Sequence, residues 1–320
     1  MKAVIHTQYG PPEVAQLKEV PTPMPQNNEV LIKIHASTVN RTDCGFRSAE
    51  YVISRFWSGL LKPKYQTLGS EFAGEIIAIG KDVKQFKIGD KVFAYNDVQF
   101  GGHAEFVCIN ENQAISTIPN NYNFETAAPL TEGSHYAYCQ IKAAKINAGQ
   151  QVLVYGATGA IGSAALQLLK HFGATVTAVC NTKNIELIKS LGADTVIDYQ
   201  TQDFIKTDTK FDVVIDAVGK SSFGVCKKLM KPKGVYISTE LGKNAENVFL
   251  ALLTPLFGGK KVLFPIPSID KDYMLFIKDL AEKGEFRPLI DRTYPLEEIV
   301  EAYRYVETAQ KTGNVVLRIV

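Results

Sequence analysis

The chain has 320 residues, of which 46% are apolar and 21% charged, and its formal net charge is +2. That length favours two cores over one, and a charge so near balance, with no basic cluster along the sequence, speaks against nucleic acid or an acidic membrane surface as a partner. Five cysteines (Cys44, Cys108, Cys139, Cys180, Cys226) are scattered without a C-x-x-C pair, as expected in a reducing cytosol rather than in a disulfide framework or a cysteine-clustered zinc site.

The opening MKAVIHTQYG reads as a strand rather than a signal peptide, and no apolar run reaches membrane-spanning length. A Pro-rich loop over residues 21–25 precedes an alternating strand at 29–36, and a second strand is predicted at 74–80. Residues 86–93, FKIGDKVF, place a turn before a third strand, and 102–107 start a fourth. Short strands divided by glycine turns, with little helical periodicity, read as a barrel-like antiparallel module.

A different pattern begins further on. Residues 152–155, VLVY, form a short apolar run suited to a buried parallel strand. It ends in Gly156-Ala157-Thr158-Gly159-Ala160-Ile161-Gly162, and apolar residues at 161, 164, 165, 168 and 169 then follow a helical period. Strand, glycine turn and helix together form the context of a dinucleotide site. Ala157 stands at the first glycine of G-x-G-x-x-G. Gly159 lets backbone approach a pyrophosphate, Gly162 lets the helix pack tightly, and the helix start at Ala160 and Ile161 offers free N–H groups.

Further strands are predicted at 175–180, 195–199, 212–219, 234–239 and 260–264, with an amphipathic helix at 185–191, which reads as a doubly wound parallel sheet. An NAD-specific site would place a carboxylate at the end of the second strand. Asn181, Thr182 and Lys183 stand there instead, and a lysine beside a hydroxyl suits the 2′-phosphate of NADPH. The alternative is a solvated loop lysine. Ala217 and Val218, ending the fourth strand, should face the ribose and nicotinamide, and the Ser238 and Thr239 hydroxyls at the end of the fifth should meet the nicotinamide ribose. Helices around 273–283 and from 299, and a strand at 315–320, close the chain.

The blocks KAVIHTQYGPPEVAQLKEV, LGSEFAGEIIAIG, FKIGDKVFA, the glycine turn and the closing GNVVLRIV occur in that order. Together they resemble the medium-chain dehydrogenase/reductase superfamily, nearest its zinc-independent quinone oxidoreductase, or ζ-crystallin-like, branch. The resemblance implies an α/β protein in which a GroES-like substrate domain (residues 1–125 and 268–320) surrounds a Rossmann domain (126–267). It places Tyr199 near the adenosine, although rim packing would also suit a tyrosine there. It further implies a homodimer in which the strand at 260–264 pairs across the axis.

Zinc-dependent members carry Cys, His and Cys in the segments matching 39–43, 69–71 and 130–132. This chain has Asn40, Ser70 and Thr131 there, none a ligand for catalytic zinc. The four-cysteine structural lobe is also missing between Tyr95 and Gly102, and Glu71, His103 and His135 are too few to replace the set, so no metal is expected. Hydride addition to a quinone or to an enone β-carbon then becomes the favoured chemistry. An NADPH-dependent quinone reductase is the first reading, an enone or alkenal reductase the second, and a non-enzymatic, crystallin-like NADPH-binding protein the third.

The expected cleft is lined by Asn40, Asp43, Thr131, His135, Tyr136 and the loop at 49–66, with Thr131 counted among the cofactor contacts. Asn40 and Asp43 match an N-x-x-D pattern of the zinc-free branch, which implies Asn40 near the nicotinamide ribose. Asp43 is either a proton carrier or a cap on nearby backbone. His135 is either a proton donor, since imidazole titrates near neutrality, or a packed histidine. Tyr51, Phe56, Trp57, Leu60, Leu61 and Tyr65 form either an apolar lid over a flat substrate or a small satellite core.

Overall fold

A computed structural model describes residues 1–50 and 55–320; residues 51–54 and the side chain of Trp57 lie outside it, and with them the Tyr51 and Trp57 parts of the expected lid. The chain divides into two units. One comprises Met1–Glu132, Ile269–Gly284 and Pro288–Val320, and the other Gly133–Ser268 with Glu285–Arg287.

In the first unit, β1 (Lys2–Ile5) and β2 (Gln16–Glu19) pair as an antiparallel ribbon. The larger sheet is built from β3 (Glu29–Val39), β4 (Glu71–Ile79), β5 (Lys91–Tyr95), β6 (Phe106–Asn110) and β7 (Ile115–Thr117). Two strands from the far end of the chain, β14 (Ile290–Pro295) and β15 (Asn314–Arg318), complete it. Their order is β14-β15-β3-β4-β5-β7, with β6 also paired to β3. β3 holds the middle because its long alternation buries Val30, Ile32 and Ile34 against Phe72, Ile76 and Val92. All of these pairings are antiparallel except β14 with β15, which run parallel.

Helices of six residues or more are numbered in order. The first, α1 (Arg41–Ser48), is absent from the sequence reading. It is short, and it begins where a capping box, not a periodic stripe, nucleates it. α6 (Lys271–Glu282) and α7 (Ile299–Glu307) also belong to this unit. α7 packs Ile299, Tyr303 and Val306 with Val315 and Leu317 of β15.

The second unit is a six-stranded parallel sheet of order β10-β9-β8-β11-β12-β13. Its strands are β8 (Gln151–Tyr155), β9 (Thr175–Cys180), β10 (Thr195–Asp198), β11 (Phe211–Asp216), β12 (Met230–Ser238) and β13 (Lys261–Leu263). Helices α2 (Glu132–Ala144), α3 (Ala160–His171), α4 (Ile185–Ser190) and α5 (Glu246–Leu253) connect or cover them. The strand order reverses at β8, so the ends of β8, β9 and β11 meet at the switch point where such sheets bind ligands. The central strands are apolar on both faces: Val152, Leu153, Val154, Val213, Val214 and Ile215 are all buried.

Candidate functional site

In the second unit, β8 runs directly into the glycine turn. Gly159 caps α3 with extended backbone (φ −72°, ψ 172°) and no side-chain cap, so the chain itself does not cover the first N–H groups of the helix. A Cβ at Gly159 would meet only the Gly156 carbonyl oxygen, 3.7 Å away, which leaves open space above the turn. At Gly162 a Cβ would stand 2.2 Å from that same oxygen. Gly162 therefore serves packing, and Gly159 borders room for a ligand. Ala157 is wholly buried, and Val218 packs against the turn at Gly156.

The end of β11 carries Asp216, which the sequence reading passes over. Its Oδ1 accepts from the N–H of Val218 (3.2 Å) and Gly219 (2.8 Å), and its Oδ2 from Ser221 N (2.8 Å) and the Tyr236 hydroxyl (3.2 Å). One buried carboxylate thus fixes the loop that includes Ala217 and Val218. At the end of β12, Ser238 Oγ accepts from Glu240 N at 3.2 Å, and Thr239 N donates to Asp216 O at 3.2 Å.

At the end of β9, Asn181 Oδ1 accepts from Asn184 Nδ2 at 2.7 Å. Thr182 donates its hydroxyl to Asp198 Oδ2 at 2.5 Å and its N–H to Gln200 Oε1 at 3.1 Å. β9 itself ends without a carboxylate, but Asp198 at the end of the neighbouring β10 reaches the same corner. The Thr182 hydroxyl holds Asp198 below the usual carboxylate range. Lys183 is exposed and has no hydrogen bond or ion pair among the described residues. Tyr199 is half-exposed and, with Tyr155, Phe204 and residues 200–203, lines a cleft of about 440 Å³. The Tyr155 and Phe204 rings lie 4.8 Å apart. The corner therefore holds one carboxylate, from β10, and one exposed lysine, beside a helix start with no side-chain cap.

In the first unit, Asn40 and Asp43 cap α1 reciprocally. Asn40 Oδ1 accepts from Asp43 N at 2.9 Å, and Asp43 Oδ2 accepts from Asn40 N at 3.2 Å. Asp43 Oδ1 also accepts from Gly69 N at 3.1 Å. Wholly buried, Asp43 has its pKa pushed up by desolvation to about 7. Asn40 Nδ2 donates to Ser70 Oγ at 2.8 Å, so two of the positions matched to zinc ligands bond to each other. Among the described residues no group of three His, Cys, Asp or Glu side chains could hold a metal ion.

Beside this pair lies Glu71, also fully buried. It accepts from the Thr38 hydroxyl (2.8 Å), the Thr131 hydroxyl (2.7 Å), Thr131 N (3.2 Å) and Glu132 N (2.7 Å). Burial raises its pKa, against the opposing effect of those donors. Thr131 therefore points its hydroxyl and N–H at Glu71. His135 sits in α2, in the other unit, buried and with its ring 4.7 Å from that of Tyr136. Of the expected lid, Phe56, Leu60 and Leu61 are exposed, whereas Tyr65 packs its ring 6.1 Å from Phe100.

His103 joins α7 to this cluster. Nε2 faces Thr38 O at 2.7 Å, and since a carbonyl only accepts, Nε2 carries the proton and Nδ1 accepts from the Tyr303 hydroxyl at 3.3 Å. Burial holds the pKa down at about 4. An unfolded histidine takes up its proton near 6.5, so this contribution to stability is whole above that pH and is lost as pH falls toward 4, by about 3 kcal/mol. Asp43 acts with the opposite sign, since its raised pKa makes its share present at low pH and lost as pH rises through about 7. Urea unfolding at pH 7 and pH 4 should therefore show a smaller acid loss for His103→Gln than for the parent. Equal losses would mean that the burial of His103 does not set it.

One unit thus carries a parallel dinucleotide-type sheet and the other an antiparallel sheet, and the comparisons assign this pair of folds to an oxidoreductase of the nicotinamide-using class. Residues 26–148 match the alcohol dehydrogenase GroES-like domain and residues 191–317 the zinc-binding dehydrogenase domain. The 2-methylene-furan-3-one reductase of Solanum lycopersicum is 33% identical over 99% of this chain and 79% of its own length. The NADPH-dependent alkenal/one oxidoreductase of Arabidopsis thaliana is 30% identical over 99% of this chain and 79% of its own. A quinone oxidoreductase structure from Coxiella burnetii superposes with a TM-score of 0.89 at 28% identity, covering 100% of this chain and 99% of that one. The chain belongs to the medium-chain dehydrogenase/reductase superfamily, in its quinone-oxidoreductase branch.

Proposed function

We propose that the chain is an NADPH-dependent, zinc-independent oxidoreductase that passes hydride to a conjugated acceptor, in the first place a quinone. The Asn40–Ser70 hydrogen bond of 2.8 Å carries this reading. An amide and a hydroxyl bonded to each other, where zinc-dependent relatives hold ligands, are the wrong donors for catalytic zinc. With no Lewis acid, an isolated carbonyl is a poor hydride acceptor, while a quinone or enone spreads the incoming charge over its conjugated system. The enone or alkenal reading is favoured by the names of the tomato and Arabidopsis relatives.

NADPH, when bound, supplies the hydride. The chain's own groups then divide the work of binding and orientation. The turn at 157–161 and the start of α3 receive the pyrophosphate. Asn181, Thr182 and Lys183 receive the 2′-phosphate, with Tyr199 beside the adenosine. Ala217, Val218, Ser238 and Thr239 line the nicotinamide end, and Asn40 belongs to its ribose. Asp43 and Thr131 act as positioning residues, because their polar groups hold α1 and Glu71 in place. His135 remains the candidate donor for the proton that follows the hydride, with water or a cofactor hydroxyl as the other sources. A homodimer formed on the β13 edge and a reducing, cytosolic setting, the latter supported by five free cysteines, belong to the same proposal.

Initial rates with NADPH against a quinone panel and an enone and alkenal panel test it. Quinones are expected to turn over fastest, and prolonged chelation to leave the rates unchanged. Stoichiometric zinc in the purified protein, or activity lost on chelation, would sink the metal-free reading. Tight NADPH binding without turnover on either panel would leave a binding protein instead.

A further inference from the structure

We propose that the first unit binds one buried water between the segment that follows β1 and the turn at 58–64, and that this water pins the turn. The site lies apart from the cofactor and acceptor readings and does not depend on them.

A cavity of about 10 Å³ is lined by His6, Tyr9 and Ser58 and otherwise by apolar and aromatic side chains, Phe46 of α1 and Phe100 among them. The Phe46 and Phe100 rings meet edge to face with centroids 4.9 Å apart. His6 is 3% exposed and Ser58 5%, and polar groups so far from solvent need partners.

The hydrogen bonds already made fix which partners these are. Gln66 O accepts from His6 N at 2.9 Å and lies 2.8 Å from His6 Nδ1. A carbonyl only accepts, so Nδ1 carries the proton and Nε2 keeps a lone pair. Burial holds the His6 pKa below its ordinary value, which keeps the ring neutral at pH 7. Nε2 is thus the one ring nitrogen left for the cavity. The Tyr9 hydroxyl donates its single proton to Gly59 O at 2.6 Å. Its 3.0 Å contact with the Ser58 hydroxyl is therefore a donation from Ser58, and Ser58 Oγ is left with lone pairs alone. Among the described residues, neither His6 Nε2 nor Ser58 Oγ accepts a hydrogen bond.

Two acceptors and no donor select the occupant. An anion would meet only lone pairs. A cation is opposed by charges already in place, with the Arg55 guanidinium 4.9 Å from the centre of the Tyr9 ring and the Lys64 ammonium 4.9 Å from that of Tyr65. An apolar occupant would leave both acceptors unsatisfied. One water donates twice, and about 10–15 Å³ is the room it needs.

Such a water joins two segments. Lys64 N donates to Ser58 O at 2.7 Å and closes the turn, while Gln66 O already holds His6. The water adds a link from His6 to the start of the turn, which carries the exposed Leu60 and Leu61.

The test uses the full chain. A high-resolution crystal structure should show one water at about 2.7–3.2 Å from both His6 Nε2 and Ser58 Oγ, and nitrogen NMR should find Nε2 unprotonated at pH 7. Magnetic relaxation dispersion of water oxygen should count one long-lived water fewer in His6→Phe, which keeps a ring but has no nitrogen. Ser58→Ala, the milder variant, should speed hydrogen exchange of the Lys64 amide at least about tenfold. Unchanged circular dichroism in both variants would show that the fold is retained. No water at His6 Nε2, a protonated Nε2, or equal counts in the parent and folded His6→Phe would overturn the site. Unchanged Lys64 exchange in Ser58→Ala would overturn its role as a pin.

Discussion

Gly159→Val is expected to bind NADPH at least about a hundredfold more weakly while staying folded. The position tolerates a Cβ: its φ of −72° is ordinary, and nothing but the Gly156 oxygen at 3.7 Å comes near. Valine at a helix start costs less than about 1 kcal/mol in propensity. Its two methyl groups would instead fill the space above the turn, where a pyrophosphate would meet the N–H groups of α3. Each charge-assisted hydrogen bond lost there is worth roughly 1.5–3 kcal/mol, so losing two gives the stated factor or more. Gly162→Ala supplies the contrast, because its Cβ would collide with Gly156 O at 2.2 Å and lower the melting temperature instead. Fluorescence titration and melting on both variants separate the two roles. Undiminished NADPH binding to folded Gly159→Val would show that the pyrophosphate lies elsewhere.

Lys183→Ala is expected to raise the Kd for NADPH about ten- to a hundredfold and to leave NADH nearly unaffected. Lys183 is exposed and unpaired among the described residues, so its ammonium group is available to a 2′-phosphate. An exposed contact is screened, and the effect should shrink toward the lower figure as salt is raised. Asp198→Asn should act in the opposite sense. The Asp198 carboxylate sits on the Thr182 hydroxyl at 2.5 Å, in the corner assigned to the phosphate, and removing its charge should tighten NADPH more than NADH. Equal changes for the two cofactors in both variants would show that this corner does not read the 2′-phosphate.

The sheet of the second unit was legible because its signals are local. A strand buried on both faces must be a continuous apolar run, and a helix that packs on it must repeat every three to four residues. Residues 152–169 show both, on either side of a glycine turn. The strands at 29–36 and 74–80 were legible for the same reason, one alternating face. α1 was not, because eight residues including Gly45 carry no stripe, and a reciprocal cap between Asn40 and Asp43 starts the helix. The same pair shows where residue type stops being informative. An aspartate three residues after an asparagine reads equally as acid or as cap until Gly69 N is seen at 3.1 Å.

The amino-acid sequence by itself determined the family, the two kinds of sheet and the donor-poor positions Asn40, Ser70 and Thr131, since each depends on residue identity or on a period of two to four residues. Only the tertiary structure decided what the buried carboxylates do. Glu71 draws its donors from residues 38, 131 and 132, Asp216 its fourth from residue 236, and Asp198 meets Thr182 across neighbouring strands. Such contacts have no period along the chain. They exist because burying a carboxylate without donors costs more than a fold can sustain, so the fold must bring donors from wherever its topology allows.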